Sequence, residues 1–214
     1  MPIFQKIVDD TTYQLALWHI TETLDQLFRL CPSNNLIYYK ELVELVRVEK
    51  RKKELLVSRL LVNQLCGGEQ KVTYRTNGQP YLVSTNQSIS ISHSGEYVAV
   101  ILSDSPNVGV DIEAYSDKAL RVASKFMHPK DVLPSLLLGS PNFSLEVKQH
   151  VLAWSAKEAF FKYVGSEKLV DYKHYLTIQA DDDKLIAKEF ATEQRCQAHV
   201  YYRMEDNYVL TWVV

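Results

Sequence analysis

The chain of 214 residues is long enough for one large domain or two small ones with a real hydrophobic core. Its composition, 46% hydrophobic and 23% charged, excludes disorder as the main state. A net charge of −2 excludes a global pull toward nucleic acid or an anionic membrane, so any anion site has to be a local cluster.

Cys31, Cys66 and Cys196 are odd in number and far from any metal or redox spacing, which reads as a reduced, cytoplasmic protein. Residues 1–10 hold no long apolar run and read as neither a signal peptide nor an anchor. The longest apolar runs elsewhere fall short of a membrane span.

In chain order, residues 13–20 are apolar and read as a strand. Thr21-Glu22-Thr23 is a helix start, with Leu24, Leu27 and Phe28 at helical spacing. Pro32-Ser33-Asn34-Asn35 is a loop, residues 37–48 continue helical, and the basic run Lys50-Arg51-Lys52-Lys53 follows. Residues 54–65 carry Leu56 and Leu60 on one stripe, and Gly67-Gly68 stops that helix.

From residue 71 the period changes to two. Residues 72–76 and 81–83 flank Asn77-Gly78, a tight-turn signal. Residues 88–92 alternate serine with isoleucine as a strand, Gly95-Glu96 marks a turn, and residues 97–102 return. After a polar loop at 103–107, Val108, Val110 and Ile112 alternate with Gly109, Asp111 and Glu113, the pattern of a half-buried strand.

Residues 119–127 read as a helix, and residues 133–142 as a loop or short helices between prolines. Residues 145–164 form the longest helical pattern, closed by Gly165. Strands are expected at 175–179, 184–190, 197–203 and 208–214, with Asp181-Asp182-Asp183 as a hairpin turn. Helices and strands come in blocks, which predicts an α+β fold with antiparallel sheets. If the chain has two halves, the break falls at 103–107.

Five constellations can carry chemistry. Asp111 and Glu113 share a strand face with Cβ atoms about 7 Å apart, either as plain solvated polarity or as two ligands for one hard cation. Trp154, Glu158, Phe161 and Lys162 share a helix face, so that a carboxylate and an ammonium lie among aromatics. That is either an ordinary helix-supporting pair or an inward pair with a task.

His93 at a strand end suits a phosphate contact, acid–base work or an ordinary turn. Lys50, Arg51, Lys52 and Lys53 form a basic patch. Arg59, near the apolar stripe, suggests an ion pair or a bound anion. The Asn77–Pro80 turn can offer backbone N–H groups. The other histidines lack such context.

Facing carboxylates would repel a pyrophosphate by about 3 kcal/mol per pair at ~5 Å and an effective dielectric of ~20. A bridging Mg²⁺ removes that repulsion. The residues therefore point to a Mg-dependent enzyme acting on a phosphoanhydride ligand.

The ordered set Asn77-Gly78-Gln79-Pro80, Ser90-Ile91-Ser92-His93-Ser94, Gly109-Val110-Asp111-Ile112-Glu113 and the run from Trp154 to Lys162 resembles the 4′-phosphopantetheinyl transferase superfamily, specifically its longer Sfp-type members. It spans about residues 50 to 165. Leu15 to Ile20 also looks like the family's opening strand.

The resemblance implies two similar α+β halves, residues 1–105 and 106–214, related by a pseudo-twofold axis, with a cofactor cleft between them. It implies transfer of the phosphopantetheine arm of coenzyme A to a serine of an apo acyl or peptidyl carrier protein, with release of adenosine 3′,5′-bisphosphate. Asp111, Glu113 and Glu158 would hold Mg²⁺, with Glu158 alternatively deprotonating the serine. Asp111, Glu158 and Lys162 would be the catalytic set.

Arg51, Lys53, Arg59, Gln79, Pro80, Ser92, His93, Lys157 and Lys162 would line the cofactor. Gln79 departs from the lysine or arginine common in the family and cannot supply a charge. Residues 115–142, with Leu136, Leu137 and Leu138, would offer a carrier-docking surface. A cytoplasmic monomer is expected, engaging neither nucleic acid nor membrane. The rival readings are a catalytically silent CoA- or carrier-binding module and a Mg-dependent phosphohydrolase.

Overall fold

The computed structural model describes residues 3–9, 11–137, 139, 141–165, 169 and 171–214. Two antiparallel sheets carry most of the chain. The first has β1 (Ile3–Asp9), β2 (Tyr13–His19), β6 (Tyr97–Ser103) and β5 (Ser88–Ser94) in the order β1-β2-β6-β5. The second has β7 (Gly109–Ala114), β11 (Tyr208–Val213), β10 (Gln197–Met204), β9 (Lys184–Glu189) and β8 (Leu176–Asp181) in the order β7-β11-β10-β9-β8. A small hairpin pairs β3 (Val72–Tyr74) with β4 (Pro80–Leu82). The α+β class with antiparallel sheets is as the block order of elements predicts.

Helices α1 (Leu24–Leu30), α2 (Leu36–Glu44) and α3 (Glu49–Cys66) precede the hairpin. Thr23 caps α1 in a reciprocal box with Gln26. Gly67 ends α3 at φ 67°. In the second part, α4 (Lys118–Arg121), α5 (Leu145–Val164) and α6 (Tyr172–Tyr175) surround the larger sheet. Ser144 caps α5, and Gly165 closes it in the left-handed conformation.

Three apolar clusters hold these layers. Leu56, Val57 and Leu61 of α3 pack with Ala16, Trp18, Val98 and Val100 on one face of the first sheet. Leu152, Ala156 and Phe160 of α5 pack with Leu185, Val200 and Val209. Leu15, Leu17 and Ile101 meet Val110, Ile112, Leu210 and Trp212, which joins the two sheets.

Several expectations need correction. β1, which no periodicity in residues 1–10 marks, adds an edge to β2 with a bulge between Lys6 and Val8. α2 stops at Glu44 rather than at 48. The helix expected over 119–127 is the single turn of α4 followed by a short 3₁₀ segment, Ala123–Lys125. α6 is also new. The Asp181–Lys184 pair closes a hairpin as expected, with Asp182 at φ 52°.

Candidate active site

The site begins with a glycine. A Cβ at Gly109 would lie 1.9 Å from the carbonyl oxygen of Ala159, so only glycine lets α5 lie this close to β7. Ser155 and Thr211 lock the helix to the neighbouring strand through a 2.9 Å hydroxyl contact and a 2.9 Å bond from Thr211 to the Ser155 carbonyl. α5 therefore covers the strand face that bears Gly109, Asp111 and Glu113. β7 is buried on both faces over Gly109–Ile112, and Asp111 is 4% exposed. The half-buried reading of this strand is corrected accordingly.

The other flank of β7 is held by serines. Ser90, Ser92 and Ser94 project alternately from β5, and their hydroxyls accept from Val110 N (3.1 Å), Ile112 N (3.3 Å) and Ala114 N (3.1 Å). Ser92 Oγ then donates to Asp111 (2.8 Å), and Ser94 Oγ to Glu113 (2.7 Å). The serine ladder both joins the two sheets and orients the two acids. Its period was visible in the sequence; its partner strand was not.

Each acid is held by named donors. Lys162 Nζ lies 2.8 Å from Asp111 Oδ1 and 2.9 Å from Val110 O. Trp154 Nε1 donates to Glu113 at 3.0 Å, and the Tyr172 hydroxyl donates to Glu158 at 3.0 Å. Tyr172 stacks obliquely on Trp154 and Phe161, at 6.0 and 5.7 Å between ring centres. Burial, and then the neighbouring Asp111, push the Glu113 and Glu158 carboxyls above the ordinary glutamate range. Burial, and then Glu158, push the Tyr172 phenol up, so Tyr172 remains a proton donor. Tyr172 escaped the sequence reading because nothing in its own neighbourhood of the chain points to residue 158.

Glu158 and Lys162 line a cavity of about 670 Å³ together with Arg51, Glu54, Ser58, Tyr74, Gln79, Pro80, Ser90 and His93. The Asn77–Pro80 turn closes one side of it, and Asn77 Nδ2 donates to the Gly165 carbonyl at 3.3 Å. Arg51 Nη1 lies 3.0 Å from both ring nitrogens of His93 and 2.8 Å from Glu54. Burial lowers the His93 pKa, opposed by Glu54. Arg59 is buried behind this wall, reaching Ser58 Oγ at 2.9 Å and the Tyr74 hydroxyl at 3.3 Å, with its Nε unpartnered among the described residues. A second cavity of about 510 Å³ shares Glu158 and adds Glu113, Lys118, Lys125, Trp154 and Tyr172.

Besides Arg59, three more residues expected to line the cofactor do not line this cavity. Lys157 is fully buried, with Nζ on Asp131 (2.6 Å), Phe126 O (2.8 Å) and Leu176 O (3.1 Å). One residue from Glu158 is about 100° around a helix, enough to send Lys157 into the core. Lys53 turns to Glu49 at 3.7 Å and lines a separate shallow pocket beside Glu22 and Glu96. Ser92 is buried in the serine ladder and does not line the cavity. Of the leucines expected to be exposed, Leu136 is, Leu137 is buried in the core, and Leu138 lies outside the described residues.

Among the described residues no three His, Cys, Asp or Glu side chains stand together as a ready metal-ligand set. The acids are engaged by Lys162, the serines, Trp154 and Tyr172 instead. Even so, the donor set suits a hard cation: every available ligand is a carboxylate oxygen. Among the described residues Asp111 Oδ2 is buried with no hydrogen-bond partner, an acceptor that lacks a positive group.

Comparison with known proteins bears on this geometry. The family model for the 4′-phosphopantetheinyl transferase superfamily matches residues 107–213. A 4′-phosphopantetheinyl transferase of Aneurinibacillus migulanus is 31% identical over 114 residues, covering 52% of this chain and 46% of that protein. A putative one of Synechocystis is 34% identical over 113 residues, 50% of this chain and 45% of its own length. One of Bacillus subtilis is 32% identical over 89 residues, with coverages of 41% and 38%. The match thus spans less than half the length of these curated relatives.

Proposed function

The chain belongs to the 4′-phosphopantetheinyl transferase superfamily, and we propose that it moves the phosphopantetheine arm of coenzyme A onto a serine hydroxyl of an apo carrier protein. The observation that carries this reading is the convergence of Glu158, Lys162, Arg51 and His93 on one cavity, with Asp111 joined to it through Lys162. The relatives bearing this activity by name support it. Residues 1–105 and 106–214 are read as two similar halves about a pseudo-twofold axis, forming one cytoplasmic monomer.

In the proposed reaction the serine oxygen attacks the β-phosphorus of the CoA pyrophosphate. The bond to the bridging oxygen breaks, and adenosine 3′,5′-bisphosphate leaves with that electron pair. Asp111, Glu113 and Glu158 would hold Mg²⁺, which supplies neutralisation of the pyrophosphate charge, with Glu158 alternatively left free as the base.

Tyr172 occupies Oε1 of Glu158 and leaves the other oxygen to take the serine proton. A carboxyl raised by burial is a better base than an exposed one. Lys162, half-buried against Asp111, steadies the phosphoryl oxygens as charge moves to the leaving group. Arg51 and His93 hold the nucleotide end of CoA.

The test is incubation with CoA, Mg²⁺ and apo carrier proteins of fatty-acid, polyketide and peptide-synthetase type, followed by weighing the carrier. A gain of one phosphopantetheine is the expected result, and no gain on any carrier overturns it. Phosphate release without a carrier would mark a phosphohydrolase. CoA binding without modification would mark a silent module.

A further inference from the structure

Glu54 had no part in the sequence reading, yet it is a carboxylate 3% exposed at the wall of the larger cavity. It belongs to the first half of α3 and is flanked by buried Leu56 and Val57. A carboxylate in such a place needs compensation. Among the described residues its basic partners are Arg51, one turn earlier at 2.8 Å, and the imidazole of His93 on β5, with Nδ1 at 3.5 Å. Those two are the more exposed members, with side chains 57% and 38% accessible.

The three groups form a closed triangle, since Arg51 Nη1 is also 3.0 Å from the imidazole nitrogens. A guanidinium against a charged imidazole is repulsive by itself. A shared buried carboxylate offsets that repulsion and fixes both donors on the wall.

We propose that Glu54 is a positioning residue that holds Arg51 and His93 together as a cradle for a phosphomonoester dianion, and that this cradle makes the site discriminate CoA from 3′-dephospho-CoA. The inference rests on the reading above that the cavity takes CoA. A phosphomonoester gathers two negative charges on one phosphorus, which suits a guanidinium and an imidazole donor side by side. Only one guanidinium nitrogen of Arg51 is engaged with Glu54, so the fork keeps donors for a ligand. Prior fixing of a long arginine also removes the cost of ordering it on binding.

The charged neighbours support the same assignment. Burial lowers the His93 pKa, Arg51 and Lys162 add to that, and Glu54 opposes them. A dianion bound beside the ring adds to the side of Glu54. The three acids Asp111, Glu113 and Glu158 make no hydrogen bond or ion pair with this triangle among the described residues.

The experiment compares CoA with 3′-dephospho-CoA as donors to one apo carrier, in the unmodified protein and in Glu54→Gln. The unmodified protein is expected to favour CoA. In Glu54→Gln the KM for CoA should rise about tenfold at nearly constant kcat, while the KM for 3′-dephospho-CoA stays within about twofold. If Glu54→Gln fails a thermal-melt check of folding, Glu54→Asp, which retracts the carboxylate from both partners, takes its place with the same expectation.

Retention of the original preference, or equal losses with both donors, overturns the role of Glu54 and leaves the cavity reading standing. An unmodified protein that uses both donors equally overturns the cradle and the Glu54 role while the cavity reading stands, and one that modifies no carrier overturns the cavity reading and the Glu54 role together.

Discussion

Lys162 Nζ makes a 2.8 Å ion pair with Asp111 Oδ1, across two elements 51 residues apart in sequence. The pair has one acid oxygen occupied and the other, Oδ2, buried without a partner among the described residues. The chain thus carries its own cation at the place where a divalent ion is proposed to act.

Asp111→Asn preserves shape and removes the charge. Lys162 and the serine ladder can still meet the amide oxygen, so the fold should persist. Carrier modification should fall by about 10²-fold or more, the scale of a lost electrostatic contact to a transition state. Carrier mass spectrometry beside a thermal melt checks both halves. Near-normal turnover would remove Asp111 from the metal site.

Lys157→Met should unfold the protein more readily without touching CoA binding. Nζ and Asp131 are both buried, and Asp131 also accepts from Ile178 N and His128 N. Breaking such a pair leaves a buried charge, at a cost of about 3–5 kcal/mol. Denaturant unfolding measures the loss. A raised KM for CoA in a folded variant would return Lys157 to the cofactor.

Gly109→Ala should cost about 3 kcal/mol or more, because a methyl group cannot share space with the Ala159 carbonyl. The Asn77-Gly78 turn gives a contrast. Gly78 has a positive φ of 83° but open space around it, so Gly78→Ala should cost only about 1 kcal/mol. Chemical denaturation of the two variants ranks them.

The carboxyl of Glu158 titrates above its ordinary range because burial, and then Asp111, disfavour the anion. A carboxyl raised on folding adds stability that is full below the unfolded pKa and is lost as pH rises through the folded one. The metal-free protein should therefore lose stability relative to Glu158→Gln as pH climbs from the ordinary glutamate range toward neutrality. If Glu158 is the base, activity should rise over the same interval, and added Mg²⁺ should move that limb to lower pH. Paired melts across the acid range, with and without Mg²⁺, check the sign; a gap that widens on acidification would contradict it.

Tyr172→Phe removes the donor to Glu158 while keeping the ring against Trp154 and Phe161. kcat should drop about tenfold with little change in the KM for CoA, as expected for a group that orients a base without touching the nucleotide. Steady-state kinetics separates the two. An unchanged kcat would mean that Glu158 is oriented without Tyr172.

The sequence by itself determined the elements that chain-local physics can set. Period-two alternation marked β5 and β7, Thr23 and Gly67 bounded helices through backbone groups left open at their ends, and Ser144 and Gly165 enclose a 20-residue α5. It also singled out Asp111, Glu158, Lys162 and His93, with Arg51 in a basic patch, and the structure brings these five to or beside one cavity, while Arg59 stays buried behind its wall. α6, a single turn, left too little periodicity to see, and β1 offered an edge that only β2 reveals.

Tertiary structure alone decided which side each polar group faces. Lys157 and Glu158 are neighbours, yet one is sealed into the core by Asp131 and the other opens on two cavities. Ser92 reads as an ordinary strand serine until β7 is placed beside it. Glu54 and Tyr172 gain meaning only from partners 39 and 14 residues away, His93 and Glu158. A sequence records periodicity and charge; which charges share a buried, weakly screened space is settled when sheets and helices pack.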